Sequence, residues 1–103
     1  MTHLLEAVNA HGVDRIVHMA ALLPPDTEDR PHQGMLVNIQ GTNNVFEVAR
    51  WTGVRRVVYA SSIAVYGDQS PYGDKPVTED DLPMPINVYG MTKAANDFAA
   101  ATY

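Results

Sequence analysis

The feature that most restricts the fold is the run Arg55-Arg56-Val57-Val58-Tyr59-Ala60, which leads directly into Ser61-Ser62 and, after a loop, to Tyr89-Gly90-Met91-Thr92-Lys93. A β-branched run ending in small hydroxyl residues reads as a buried parallel strand with an open carboxyl end, where ligands bind in open α/β sheets. Ser62 is therefore placed on that rim. Tyr89 and Lys93 stand four residues apart, so on a helix they lie one turn above one another and share a face.

That pairing has a chemical use. A phenol with a pKa near 10 is a poor base at neutral pH, and lowering it by about three units takes roughly 4 kcal/mol. A lysine ammonium roughly 5 Å away contributes about 3 kcal/mol at an effective dielectric of about 20. Tyr89 can then exchange a proton with a substrate hydroxyl while Ser62 donates a hydrogen bond to the substrate oxygen. A nicotinamide cofactor would accept the hydride, and its positive ring would add to the effect of Lys93.

The segment Val57-Val58-Tyr59-Ala60-Ser61-Ser62-Ile63-Ala64-Val65-Tyr66-Gly67, followed by an acidic, proline-containing loop and Tyr89-Gly90-Met91-Thr92-Lys93, resembles the extended short-chain dehydrogenase/reductase family. Its NAD-dependent epimerase/dehydratase branch is the nearest match. A Tyr-x-x-x-Lys alone is common by chance; the serine strand and the Val-Tyr-Gly make the match specific. The resemblance implies Ser62, Tyr89 and Lys93 as catalytic residues and NAD or NADP as cofactor. It also implies a sugar or nucleotide sugar as substrate.

Twelve acidic against seven basic residues give a formal charge of −5, which argues against nucleic acid or anionic membranes as partners. The absence of cysteine excludes disulfides, thiolate chemistry and cysteine-based zinc sites. No signal peptide is read in Met1 to Ala10, no stretch reaches the length of a membrane span, and cytoplasm is the default location. A chain of 103 residues is at most one domain.

In chain order, Leu4, Leu5 and Val8 suit a short amphipathic helix from Thr2 to His11 capped by Gly12. Val13 to Ala21 reads as a strand in which His18 is structural, since it has no ligand partner at metal-binding spacing. By resemblance, Met19, Ala20 and Ala21 pass close to the dinucleotide. Leu22 to Gln33, rich in proline and charge, is expected to be a surface loop with solvated acids, facing the substrate entrance in the family. A helix is predicted from about Gly34 to Trp51, with Asn38, Thr42, Val45 and Ala49 on one face. Buried, Asn38 needs hydrogen bonds. The family reading has it hold backbone or water near the cofactor and Lys93. Gly41, unfavourable in a helix by about 1 kcal/mol relative to alanine, suggests close backbone approach.

Tyr66 to Pro85 is a long loop in which Thr78-Glu79-Asp80 resembles a family segment that holds the loop, with Glu79 a surface or loop-fixing carboxylate rather than a catalytic acid. Asn87 is a candidate cap for the last helix, whose Ala94, Ala95, Phe98, Ala99 and Ala100 make a smooth packing face.

A right-handed crossover puts the Gly34–Trp51 helix and the Tyr89 helix on one side of two parallel strands. The resemblance puts the first helix on the other side and implies a homodimer of the intact protein through the first two. The fold class is α/β, a single partial Rossmann-like doubly wound domain over residues 1–103. None of the seven glycines forms Gly-x-x-Gly-x-x-Gly or Gly-x-Gly-x-x-Gly, so the pyrophosphate cradle is missing. The resemblance maps the chain onto the middle of a longer family chain, without its first strands or its carboxyl-terminal substrate region. The 103 residues alone are expected to be weakly folded and inactive. An alternative is a non-catalytic nucleotide-binding scaffold or sensor of the same fold. A serine hydrolase fails, because Ser62 lacks the flanking glycines of a nucleophile elbow and no histidine follows it.

Overall fold

The structure is a computed structural model and describes all 103 residues. Helix α1 (Thr2–His11) ends where Gly12 takes the left-handed conformation, φ 58°, which lets its N–H return to the Val8 and Asn9 carbonyls. Strand β1 (Arg15–His18) pairs in parallel with β2 (Arg56–Tyr59), setting Ile16 opposite Val57 and His18 opposite Tyr59. Both strands are shorter than their apolar runs. The Ala60 N–H to His18 carbonyl bond, 3.2 Å, extends the pairing just past the end of β2.

The period of two places Ile16, His18, Val57 and Tyr59 toward the helices, and Val17 and Val58 on the opposite face, where they are 69% and 52% exposed. The strands, read as buried, are covered by these helices on one face. Helix α1 belongs to that same layer. It packs on the later helix α4 rather than across the sheet, which corrects its expected placement. The crossover rule governs only connections between paired strands, and α1 precedes β1; Val8, its one buried residue, is covered without crossing the sheet.

The Leu22–Gln33 stretch is not the featureless loop expected from its composition. It contains helix α2 (Asp26–Asp29) and the start of α3 (Pro31–Met35), with Pro31 at the first helical turn, where its missing N–H costs nothing. Thr27, in the middle of this acidic segment, is completely buried. Helix α3 continues through a π turn, Leu36–Gln40, in which the Gly41 N–H bonds the Leu36 carbonyl five residues back, and then into α4 (Gly41–Thr52). Gly53 closes α4 at φ 71°. The predicted face is buried as read: Asn38, Thr42, Val45 and Ala49 are all 7% exposed or less.

Gly41 marks no close approach, since a Cβ there would meet only the Leu36 carbonyl, at 3.9 Å. The tight glycines are Gly67, where a Cβ would collide with the Met84 carbonyl, and Gly90, where it would collide with the Ala64 carbonyl. Gly90 lies in the first turn of α5 (Val88–Ala100), which Asn87 caps as expected by accepting from the Gly90 N–H at 2.7 Å. In the preceding loop Glu79 is exposed, the surface alternative of its reading, and the fixing carboxylate is Asp81. It accepts from the Thr78 N–H at 2.9 Å and from Lys75 Nζ at 3.0 Å, because three residues separate it from the amide it caps.

The core is half polar. Val8, Val45, Phe46, Val48, Ala49, Val65 and Ala94 are its buried apolar residues, beside Thr27, Asn38, Thr42, Thr92, Lys93 and Asn96. Every buried side-chain nitrogen and oxygen has a partner. The α4–α5 contact is therefore held by directional bonds, which fix α5 in register where apolar packing alone would let it slide.

Candidate active site

Helix α5 aims Lys93 inward. Its side chain is 3% exposed, and Nζ donates to the Ala60 carbonyl at 2.8 Å, just beyond the end of β2. The ammonium lies between two phenol rings, 5.0 Å from the Tyr59 centroid and 5.7 Å from that of Tyr89. Burial lowers the Lys93 pKa, and the nearby Asp97 carboxylate works against that shift. Tyr59 is the stable floor of this arrangement. Burial pushes its phenol up to about 12, so it stays protonated. The strand period alone, which points Tyr59 to the helix side, could have revealed it; its partnership with Lys93 could not be read from spacing.

Ser62 leaves the sheet in extended conformation and caps the 3₁₀ turn Ile63–Tyr66, its hydroxyl oxygen accepting from the Ala64 N–H at 3.2 Å. Its own O–H proton is not used in that bond. The residues on either side of Ser62 both meet α5, Ala60 through Lys93 and Ala64 through the close approach to Gly90. Ser61, which the sequence reading did not distinguish, donates its hydroxyl to Asp97 Oδ2 at 2.6 Å and ties the serine turn to α5 a turn beyond Lys93.

Met19, Ala20 and Ala21 follow β1 on the same rim. Met19 is 68% exposed, Ala20 is exposed and Ala21 half-buried, so this segment is open to a ligand. Asn38 stands behind it and does not reach the surface. At 1% exposure, its amide oxygen accepts from the Leu22 N–H at 2.7 Å while Nδ2 donates to the Leu22 carbonyl at 3.0 Å and to Thr92 Oγ1 at 3.2 Å. The reading of Asn38 as a residue that holds backbone fits this geometry. Asn96, missed in the sequence, holds the π turn: Nδ2 donates to the Asn38 carbonyl at 2.8 Å and lies 3.3 Å from Thr42 Oγ1. His18 is structural, its Nε2 3.0 Å from Thr42 Oγ1; burial and then the Lys93 charge lower its pKa. No group of three or more metal-ligating side chains occurs.

The whole chain, residues 1–103, matches the NAD dependent epimerase/dehydratase family. The chain belongs to that family. It is 30% identical over 99 residues to the UDP-glucose 4-epimerase of Corynebacterium glutamicum, covering 95% of this chain and 29% of that protein. It superposes on the UDP-glucose 4-epimerase of Brucella ovis in complex with NAD with a TM-score of 0.89 at 27% identity, covering 99% of this chain and 31% of that one. For the GalE-like L-threonine dehydrogenase of Cupriavidus necator, holo form, the TM-score is 0.88 at 33% identity, with 99% and 33% covered. The fold is thus a partial Rossmann-type sheet, and NAD is the dinucleotide of the family. The chain spans about 30% of the length of the curated relatives it matches. Met19 and Ala20 leave an exposed rim after β1, while the glycine turn that would cradle the phosphates of a dinucleotide is not among these residues.

Proposed function

We propose that this chain supplies the proton-transfer flank of an NAD-dependent epimerase, dehydratase or dehydrogenase that acts on a sugar or nucleotide sugar. Tyr89 takes a proton from the substrate hydroxyl, or returns it, through its phenol oxygen. Ser62 donates its unused O–H proton to the same substrate oxygen. Lys93, anchored on the Ala60 carbonyl, stabilises the charge that develops on the Tyr89 oxygen. The nicotinamide, when bound, supplies the hydride chemistry; Met19, Ala20 and Ala21 would lie along the dinucleotide, with Asn38 holding the backbone of Leu22 just after them.

The observation that carries this reading is the buried ammonium between two phenols. A lysine almost fully removed from water is costly, and a structural role alone would be served as well by an apolar side chain. Likeness to epimerases of UDP-glucose supports a nucleotide sugar as substrate. The reading extends to a homodimer of the intact protein: Met91, Ala95 and Phe98 follow one face of α5, and Phe98 is 70% exposed. The test is Tyr89→Phe in the intact protein, assayed with UDP-sugars and NAD. Turnover is lost while NAD binding is retained; undiminished turnover would refute the assignment.

A further inference from the structure

A helix begins with N–H groups that no carbonyl of its own can satisfy. At the start of α5 the Gly90 N–H goes to Asn87, as noted, but the Tyr89 N–H goes to a residue 61 positions earlier: Glu28 Oε1 accepts it at 3.1 Å. The second carboxylate oxygen is occupied as well, Oε2 accepting from the Thr27 hydroxyl at 2.5 Å. Thr27 is completely buried, so the carboxylate is fastened from its own side while its other oxygen holds the first turn of α5. Helix α2 packs directly on α5, and the negative charge suits the positive end of the helix.

We propose that Glu28 is a positioning residue for Tyr89: from the acidic segment after β1 it fixes the backbone from which the Tyr89 phenol projects. This rests on the role proposed above for Tyr89. Lys93 is held through its side chain on the Ala60 carbonyl and needs no help from Glu28, whereas Tyr89 sits in the first turn, where a helix frays first. Without Glu28 the phenol would sample directions away from Lys93 and Ser62 while the rest of α5 stayed in place. The Thr92 hydroxyl holds the Tyr89 carbonyl at 2.7 Å, but no local group accepts the Tyr89 N–H, because Asn87 already serves the Gly90 N–H.

The experiment is amide hydrogen exchange in the intact protein, comparing wild type, Glu28→Ala and Glu28→Gln, with the Gly90 amide as an internal control. Glu28→Ala accelerates exchange at Tyr89 by about five- to tenfold and leaves Gly90 within about twofold, as for removal of one capping acceptor. Glu28→Gln, which keeps an oxygen at the same position, restores most of the protection. In turnover assays Glu28→Ala lowers kcat by a similar factor with KM for NAD unchanged, and Glu28→Gln recovers it. Unchanged Tyr89 exchange in Glu28→Ala would overturn the proposal, as would equal acceleration at Tyr89 and Gly90. Tyr89→Phe separates the two readings. If that variant still turns over, the catalytic role of the phenol falls, while the exchange data still decide whether Glu28 fixes the Tyr89 backbone.

Discussion

Replacing Lys93 by Met isolates what the buried charge contributes. Methionine matches the length of the lysine stem and fills the same 3%-exposed slot, so packing changes little. Two terms oppose each other in stability. The Ala60 carbonyl loses its charge-assisted donor, a cost of about 1 to 3 kcal/mol, while relief from burying an ammonium returns a sum of the same order. Thermal stability is therefore nearly unchanged. Catalysis has no such compensation. At 5.7 Å from the Tyr89 ring and an effective dielectric of about 20, the cation favours negative charge on the phenol by about 3 kcal/mol. That converts to roughly a hundredfold in kcat at about 1.4 kcal/mol per factor of ten. The assay is kcat in the intact protein at fixed, saturating NAD, with a melting curve recorded alongside. A loss of less than about fivefold with the fold retained would show that the ammonium does not act on the phenol, and the electrostatic argument would fail.

His18 makes stability depend on pH. Its folded pKa lies below the ordinary 6.5, so the unfolded chain binds the proton first as pH falls. The contribution is complete above about pH 6.5 and is lost as pH drops through the folded value. Melting curves of His18→Gln should show a flatter slope than wild type across that window; equal slopes would rule out His18 as the source. Gly90→Ala drives a methyl group into the Ala64 carbonyl, and a loss of about 1 to 3 kcal/mol in denaturant unfolding is expected. A stability equal to wild type would mean that α5 can retreat from the serine turn. Phe98→Glu, at a 70%-exposed position, should convert a dimer of the intact protein to monomer in sedimentation or light scattering with little effect on folding. A dimer that persists would place the interface elsewhere.

Much of this protein was legible in the sequence because the relevant signals act within about four residues. The face of Asn38, Thr42, Val45 and Ala49 follows from the helical period, the Gly12 and Gly53 stops from positive φ, the Asn87 cap from its distance to Gly90, and the Tyr89–Lys93 pairing from one helical turn. The parallel pairing of β1 with β2 follows from two β-branched runs joined by a long crossover. What tertiary structure alone decided is where polar groups find partners far along the chain. Asn96 meets the Asn38 carbonyl across 58 positions, and Glu28 meets the Tyr89 N–H across 61. The same holds for α1 lying in the helical layer, for Asp81 holding the loop and for Thr27 being buried within an acidic stretch. A periodic pattern announces which face must leave water, since that requirement is local and nondirectional. A hydrogen bond needs a particular atom at a particular angle, and only the assembled chain brings the two atoms together.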